Sequence, residues 1–208
     1  MIWDTMTNIP LQAILTFMGG ALVLNFAPGQ DVFFASACGL QGGPRAGALA
    51  GLGVGLGVMV HLTLATIGLG AIVAAHPEAL AAIKYAGAAY LLFLAWKSWT
   101  AGQVDPTARG AVRTWNIIRR GMMSNLLNPK PVLFLLAFLP QFTSIAYGPI
   151  WQQILGLGLI FAFTGTLVTM GYGIVAGYAG QVLGRRLGVV NKMAAVMFAA
   201  LAIRLVAK

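Results

Sequence analysis

Apolar residues run along this chain in long blocks, separated by short polar or helix-breaking clusters. Six blocks reach the roughly 20 residues that a helix needs to cross a bilayer. They are about 11–40, 46–75, 79–101, 119–144, 149–182 and 187–207. The joints are "QGGPR" at 41–45, "AHPE" at 75–78, "AGQVDPTARG" at 101–110, "AYGP" at 146–149 and "GRRLG" at 184–188. Blocks one and four are interrupted by polar residues and prolines. The pattern predicts an all-α polytopic membrane protein of about six transmembrane helices, with helices one and four broken.

The two halves of the pattern resemble each other. "NFAP" at 25–28 aligns with "NPKP" at 128–131, and "GVGLGVMVHLT" at 53–63 with "GLGLIFAFTGT" at 156–166, both at an offset of 103 (128 − 25 and 156 − 53). "KYAGAAY" at 84–90 aligns with "KMAAVMF" at 192–198 at an offset of 108 (192 − 84). The reading is one transmembrane domain over 1–208: repeat one at about 11–101, a cytoplasmic loop at about 102–118, and repeat two at about 119–208. Three spans per repeat is an odd number, so the second repeat enters from the opposite side. Such inverted repeats are common in secondary transporters, where substrate binds near the midplane between discontinuous helices.

Composition agrees with a membrane class. The 208 residues are 59% hydrophobic and 8% charged, too few charges to cover a soluble surface. The net charge of +9 does not point to nucleic acid, because the basic residues lie in short loops. Arg45, Lys97, Arg109, Arg113, Arg119, Arg120, Arg185, Arg186 and Lys192 fall on one side of the six-span pattern, and Lys84, Arg204 and Lys208 on the other. The excess predicts the first side to be cytoplasmic and both termini external. "MIWDTMTNIP" has no Lys or Arg ahead of the first apolar block, so that block is expected to stay as a span rather than act as a cleaved signal. Cys38 is the only cysteine, which excludes an internal disulfide, a CxxC pair and a cysteine zinc site.

The chemistry concentrates at the two interruptions. Pro28 lacks an N–H and cannot continue the helix before it, but suits the start of a new one. Asn128 followed by Pro129 reads as an N-cap and first helical position. Each break is expected to start a half-helix in the membrane, with free N–H groups and a positive dipole end. Asp31 falls in the first turn after Pro28, where a carboxylate is favoured. Lys130 falls just after Pro129, where the dipole disfavours a cation, and a mid-membrane charge costs about 2.5–3.5 kcal/mol. Lys130 therefore needs a partner: Asp31, a carboxylate substrate, or both. A static Asp31–Lys130 clasp and snorkelling of Lys130 are the alternatives. Asn25, Gln30 and His61 are candidate cavity-lining residues, with a hydrogen-bonded packing role as the alternative for His61. Gly47, Gly51 and Gly55, like Gly53 and Gly57, are spaced by four, a pattern of close helix packing. Inside a span, "GVGLG" is not a nucleotide loop.

"APGQD", "GPRAGALAGLGVGLGVMVH", "GAAYLLFLAWKSW", "RRGMMSNLLNPKPVLFLLAFLPQF" and "NKMAAVMFAALAIRL" resemble, in order and spacing, the LysE/Rht amino-acid exporter family. The resemblance runs from about residue 10 to the end. It implies a multi-pass protein of the bacterial inner membrane that exports amino acids or similar small metabolites, driven by the proton motive force. Carried over by position, the implied substrate site is Pro28, Gly29 and Asp31 with Asn125, Asn128, Pro129 and Lys130. The family's proline-glycine-proline is Pro28-Gly29-Gln30 here, a departure inside that site.

The combined expectation is alternating access around the breaks, with the substrate carboxylate at Lys130, its ammonium at Asp31, and Asp31 as the residue that couples a proton. A single intramembrane acid favours a neutral, threonine- or homoserine-like amino acid over a basic one. Export of basic amino acids or another small metabolite, and a passive pore, are the rival readings. No HExxH, no second buried aspartate and no GxSxG with a histidine partner is present, so no enzyme activity is expected. One cysteine and two histidines argue against a metal site or metal cargo. No cofactor is called for. The expected partners are the amino-acid substrate, the lipid bilayer and, as an open option, further copies of the chain.

Overall fold

The computed structural model describes residues 2–27, 29–68 and 114–182, with isolated helical positions between 85 and 100 and between 192 and 203. Predicted spans three and six, the joints at 75–78, 101–110 and 184–188, and Pro28 lie outside the described residues apart from those positions. Seven α-helices are described: α1 (Ile2–Asn8), α2 (Leu11–Phe26), α3 (Gln30–Gly42), α4 (Pro44–Thr66), α5 (Thr114–Leu126), α6 (Pro129–Leu133) and α7 (Ile150–Val182). A π-helical turn (Phe134–Phe138) and two 3-10 turns (Leu139–Phe142, Ile145–Tyr147) join α6 to α7. No strand occurs among the described residues.

The chain is an all-α polytopic membrane protein. Helices α4 and α7 are each long and apolar enough to cross a bilayer, and α2 with α3 forms a third such unit, bent by 48° at its break. At about 1.5 Å per residue, the 33 residues of α7 extend about 50 Å, well past a hydrocarbon core of about 30 Å.

Both interruptions are real breaks. Helix α2 ends at Phe26 and α3 starts at Gln30. Helix α5 ends at Leu126 and α6 starts at Pro129. Two boundaries differ from the sequence reading. Residues 2–8 form a helix because Thr5 Oγ1 donates to Gln152 Oε1 at 2.6 Å and Met6 packs on Gly156 of α7. The stretch from Thr114, assigned to a loop, already belongs to α5. Its exposed Trp115, Arg119 and Arg120 share the helix with buried Gly121, Ser124 and Asn125, a mixed face that an apolar window overlooks.

Helix α4 is the hub, and its glycines show why. A Cβ on Gly47, Gly51 or Gly55 would run into Gly173, Met170 or Thr166 of α7. A Cβ on Gly53 or Gly57 would run into Ile118 or Asn125 of α5. The two sets spaced by four therefore serve two different partners, letting backbones approach where lipid gives no hydrophobic drive. Gly43, with φ of 83°, makes the tight turn from α3 into α4.

Two apolar clusters flank the breaks. Phe34, Ala35 and Ala37 of α3 pack with Ala50 of α4 and with Ala88 and Ala95. On the other side, Phe17 of α2 meets Phe134, Phe138 and Phe142, with centroids 5.9, 6.1 and 5.5 Å away. Phe134 in turn stacks on Phe161 of α7 at 4.2 Å.

Candidate functional site

A proline four residues past a carbonyl removes the N–H that would have bonded it. Pro28 does this to Leu24, and Pro129 does it to Asn125. The structure shows where these carbonyls find donors. Lys130 Nζ donates to Leu24 O at 2.7 Å and to Ala27 O at 2.8 Å. Tyr172 Oη of α7 donates to Phe26 O at 3.2 Å. Asn125 O accepts from Asn128 N at 2.9 Å, with His61 Nε2 at 3.2 Å. A carbonyl only accepts, so that ring nitrogen carries the proton. Gln30 Nε2 donates to Ser124 O at 2.8 Å. Each break is thus closed by side chains from the other half of the chain.

The acid sits between them. Asp31, in the first turn of α3, accepts from Asn125 Nδ2 at 2.8 Å and from Asn128 Nδ2 at 2.9 Å, both on Oδ2. Its Oδ1 is buried and has no hydrogen-bond partner among the described residues. Asn128 also caps α6: its side chain accepts from Lys130 N at 3.0 Å. One asparagine thereby ties the acid to the start of the second half-helix. The stem of Lys130 crosses Gly29, and Lys130 lines the same cavity as Asp31. The sequence had offered Asp31 or a substrate as the partner of Lys130. The carbonyls at the end of α2 were the missing option, because the C-terminus of one half-helix is as poor in donors as the N-terminus of the next is rich in them.

A cavity of about 40 Å³ lies against this cluster. Asn25, Gly29, Asp31, Asn128 and Lys130 contribute its polar side. Leu24, Val32, Val54, Val58 and Pro131 contribute apolar wall, and Phe161, Gly165 and Thr169 of α7 complete it. The volume holds water rather than an amino acid. Of the residues picked from the sequence, Asn25, Gly29, Asp31, Asn128 and Lys130 line this cavity, and Asn125 holds the acid from behind. Gln30 and His61 do not line it. Both are turned onto the end of α5, because that is where carbonyls lack donors. Pro129 starts α6, and Pro28 is outside the described residues. The α7 wall was missed. Its signal was the spacing of Phe161, Gly165 and Thr169, four apart on one helix face.

The breaks also refine the alignment of the halves. Pro28 and Pro129, like Leu24 and Asn125, are 101 apart (129 − 28 and 125 − 24), against the 103 of the flanking matches.

Fold and site define a polytopic helical membrane protein organised around two broken helices. The family model described as LysE type translocator matches residues 22–208, and the chain belongs to that family. It is 33% identical over 158 residues to a homoserine/homoserine lactone efflux protein of Salmonella typhi, covering 74% of this chain and 75% of the relative. It is 34% identical over 137 residues to a leucine efflux protein of Klebsiella pneumoniae, covering 63% of each. An uncharacterized membrane protein of Escherichia coli is 30% identical over 202 residues, covering 89% of this chain and 90% of the relative. No solved structure matches.

Proposed function

We propose that this protein exports small neutral amino acids, threonine- or homoserine-like in size and polarity, across the bacterial inner membrane by alternating access around the two breaks. The observation that carries the reading is the buried Asp31 Oδ1, unpartnered among the described residues, beside a cavity that both breaks line. An isolated buried acceptor is costly, and a substrate ammonium is the partner it lacks. Relatives named for efflux of leucine and of homoserine support an amino acid as cargo.

The substrate site comprises Pro28, Gly29, Asp31, Asn125, Asn128, Pro129 and Lys130. The ammonium binds Asp31 Oδ1 while Asn125 and Asn128 hold Oδ2. The carboxylate binds Lys130 and competes with the carbonyls of Leu24 and Ala27 for its N–H groups. Binding therefore loosens the end of α2. At about 40 Å³ the cavity is in a closed state, and the halves must part to admit the substrate. Asp31 is the proton-coupling residue, so export follows the proton motive force. One acid in the site suits one ammonium, which favours neutral over basic amino acids.

Counterflow in proteoliposomes against a panel of labelled amino acids tests this. Saturable exchange of small neutral amino acids is expected, and acceleration of uphill export by an imposed proton gradient. Asp31→Asn removes the charge and the proton, so it should lose uphill export. Non-saturating flux that ignores the proton gradient would instead identify a pore.

A further inference from the structure

We infer that Gly165 and Asn25 together select the substrate's side chain, an inference that rests on the amino-acid reading above. Gly165 is the middle position of the α7 wall, between Phe161 and Thr169, and it alone of the three brings no side chain into that wall. Across from it stands Asn25, whose amide is tethered to α7: Nδ2 donates to Thr164 Oγ1 at 3.0 Å and lies 3.4 Å from Phe161 O. The tether fixes which end of the amide is left over. Asn25 Oδ1 accepts no hydrogen bond from any described residue and faces Gly165. A Cβ at position 165 would stand 2.9 Å from that oxygen, 3.3 Å from Cγ and 3.4 Å from Nδ2.

The arrangement gives this part of the cavity two properties at once. The missing side chain at position 165 lets the Asn25 amide stand close against α7, and Asn25 Oδ1 supplies an acceptor on the cavity wall. With Asp31 and Lys130 taking the ammonium and carboxylate, the substrate side chain extends along the α7 wall toward Asn25. A hydroxyl there satisfies Oδ1, whereas an apolar isostere buries it unpaired. Sites built around such an acceptor discriminate far more strongly than sites that only measure size. Gly165 acts through Asn25: it is a positioning residue that lets the amide keep its place.

The test is the ratio of counterflow for matched pairs, threonine against valine and homoserine against norvaline, in reconstituted full-length protein. Damage to the fold lowers both members of a pair alike and leaves the ratio unchanged. The wild-type protein is expected to prefer the hydroxylated member by about tenfold or more. Gly165→Ala, which suits a helix but displaces Asn25, should cut that preference about tenfold. Asn25→Ala should abolish the preference. Combining Asn25→Ala with Gly165→Ala should restore valine transport to that of Asn25→Ala alone, because the clash is gone. An unchanged threonine-to-valine ratio in both single variants would overturn the inference while leaving amino-acid export intact. Absence of counterflow with every amino acid would overturn the export reading itself, and the inference with it.

Discussion

The two breaks use the same parts and are finished differently. At both, a proline removes the N–H that a carbonyl four residues upstream would have used. At the break after α5, neutral donors replace it: Asn128 N, His61 Nε2 and Gln30 Nε2 reach the last carbonyls, and the Asn128 side chain caps the helix that follows. At the break after α2, a charged donor, Lys130, takes Leu24 O and Ala27 O. The helix that follows, α3, has no side-chain cap, and its first turn carries Asp31. A neutral amide or imidazole offers an anion little. An ammonium attracts one strongly, so an arriving carboxylate can draw Lys130 away. On the proposed reading the second break is the fixed joint and the first the responsive one, although both line one cavity.

Substitutions at three positions would break or sharpen that contrast. The largest effect is expected at Lys130. Lys130→Met leaves Leu24 and Ala27 without this donor and should abolish counterflow, with less folded protein in the membrane. Lys130→Gln offers a neutral donor, so it should recover folded protein without recovering transport. Transport by Lys130→Gln at the wild-type rate would make the two breaks equivalent. Gln30→Leu is expected to act on stability instead. It leaves Ser124 O without its side-chain donor in a buried site, a loss of about 1–3 kcal/mol. Thermal unfolding in detergent should show this, with counterflow per folded molecule kept within about twofold. The smallest effect is expected for His61→Leu. Asn125 O keeps Asn128 N, so the loss should stay near the 0.5–1.5 kcal/mol of about one ordinary hydrogen bond. A selective loss of transport in His61→Leu, with normal unfolding, would move this histidine from the fixed joint into the transport path.

Much of this was legible in the sequence, for identifiable reasons. The extents of α2, α3 and α7 follow from apolar run length and from prolines, which act locally. The double glycine pattern of α4 announced close packing, though only the structure assigns one stripe to α7 and the other to α5. Asp31, Asn128 and Lys130 stood out because each is expensive in a membrane. Their partners were harder to foresee. The Lys130 contact to Leu24 spans 106 residues and that of Gln30 to Ser124 spans 94. Such pairings depend on which carbonyls a distant proline has stripped of donors. Gln30 and His61 show this: the first reaches Ser124 O and the second Asn125 O, carbonyls at a helix end that only the fold brings beside them. Gly165 gave no signal of its own, since its role is the absence of a side chain next to Asn25.

The most direct test of the shared cavity is substrate protection of a cysteine on its far wall. Thr169 lines the cavity from α7 and is buried. Thr169→Cys is a small change, and Cys38→Ala removes the only other thiol. The measurement is the rate of modification by a small methanethiosulfonate in proteoliposomes, with and without a transported amino acid. A cavity built by both breaks predicts that the amino acid slows modification severalfold and that Lys130→Gln abolishes the protection. Modification at the same rate with and without a transported amino acid would contradict it, and would place the substrate path elsewhere in the molecule.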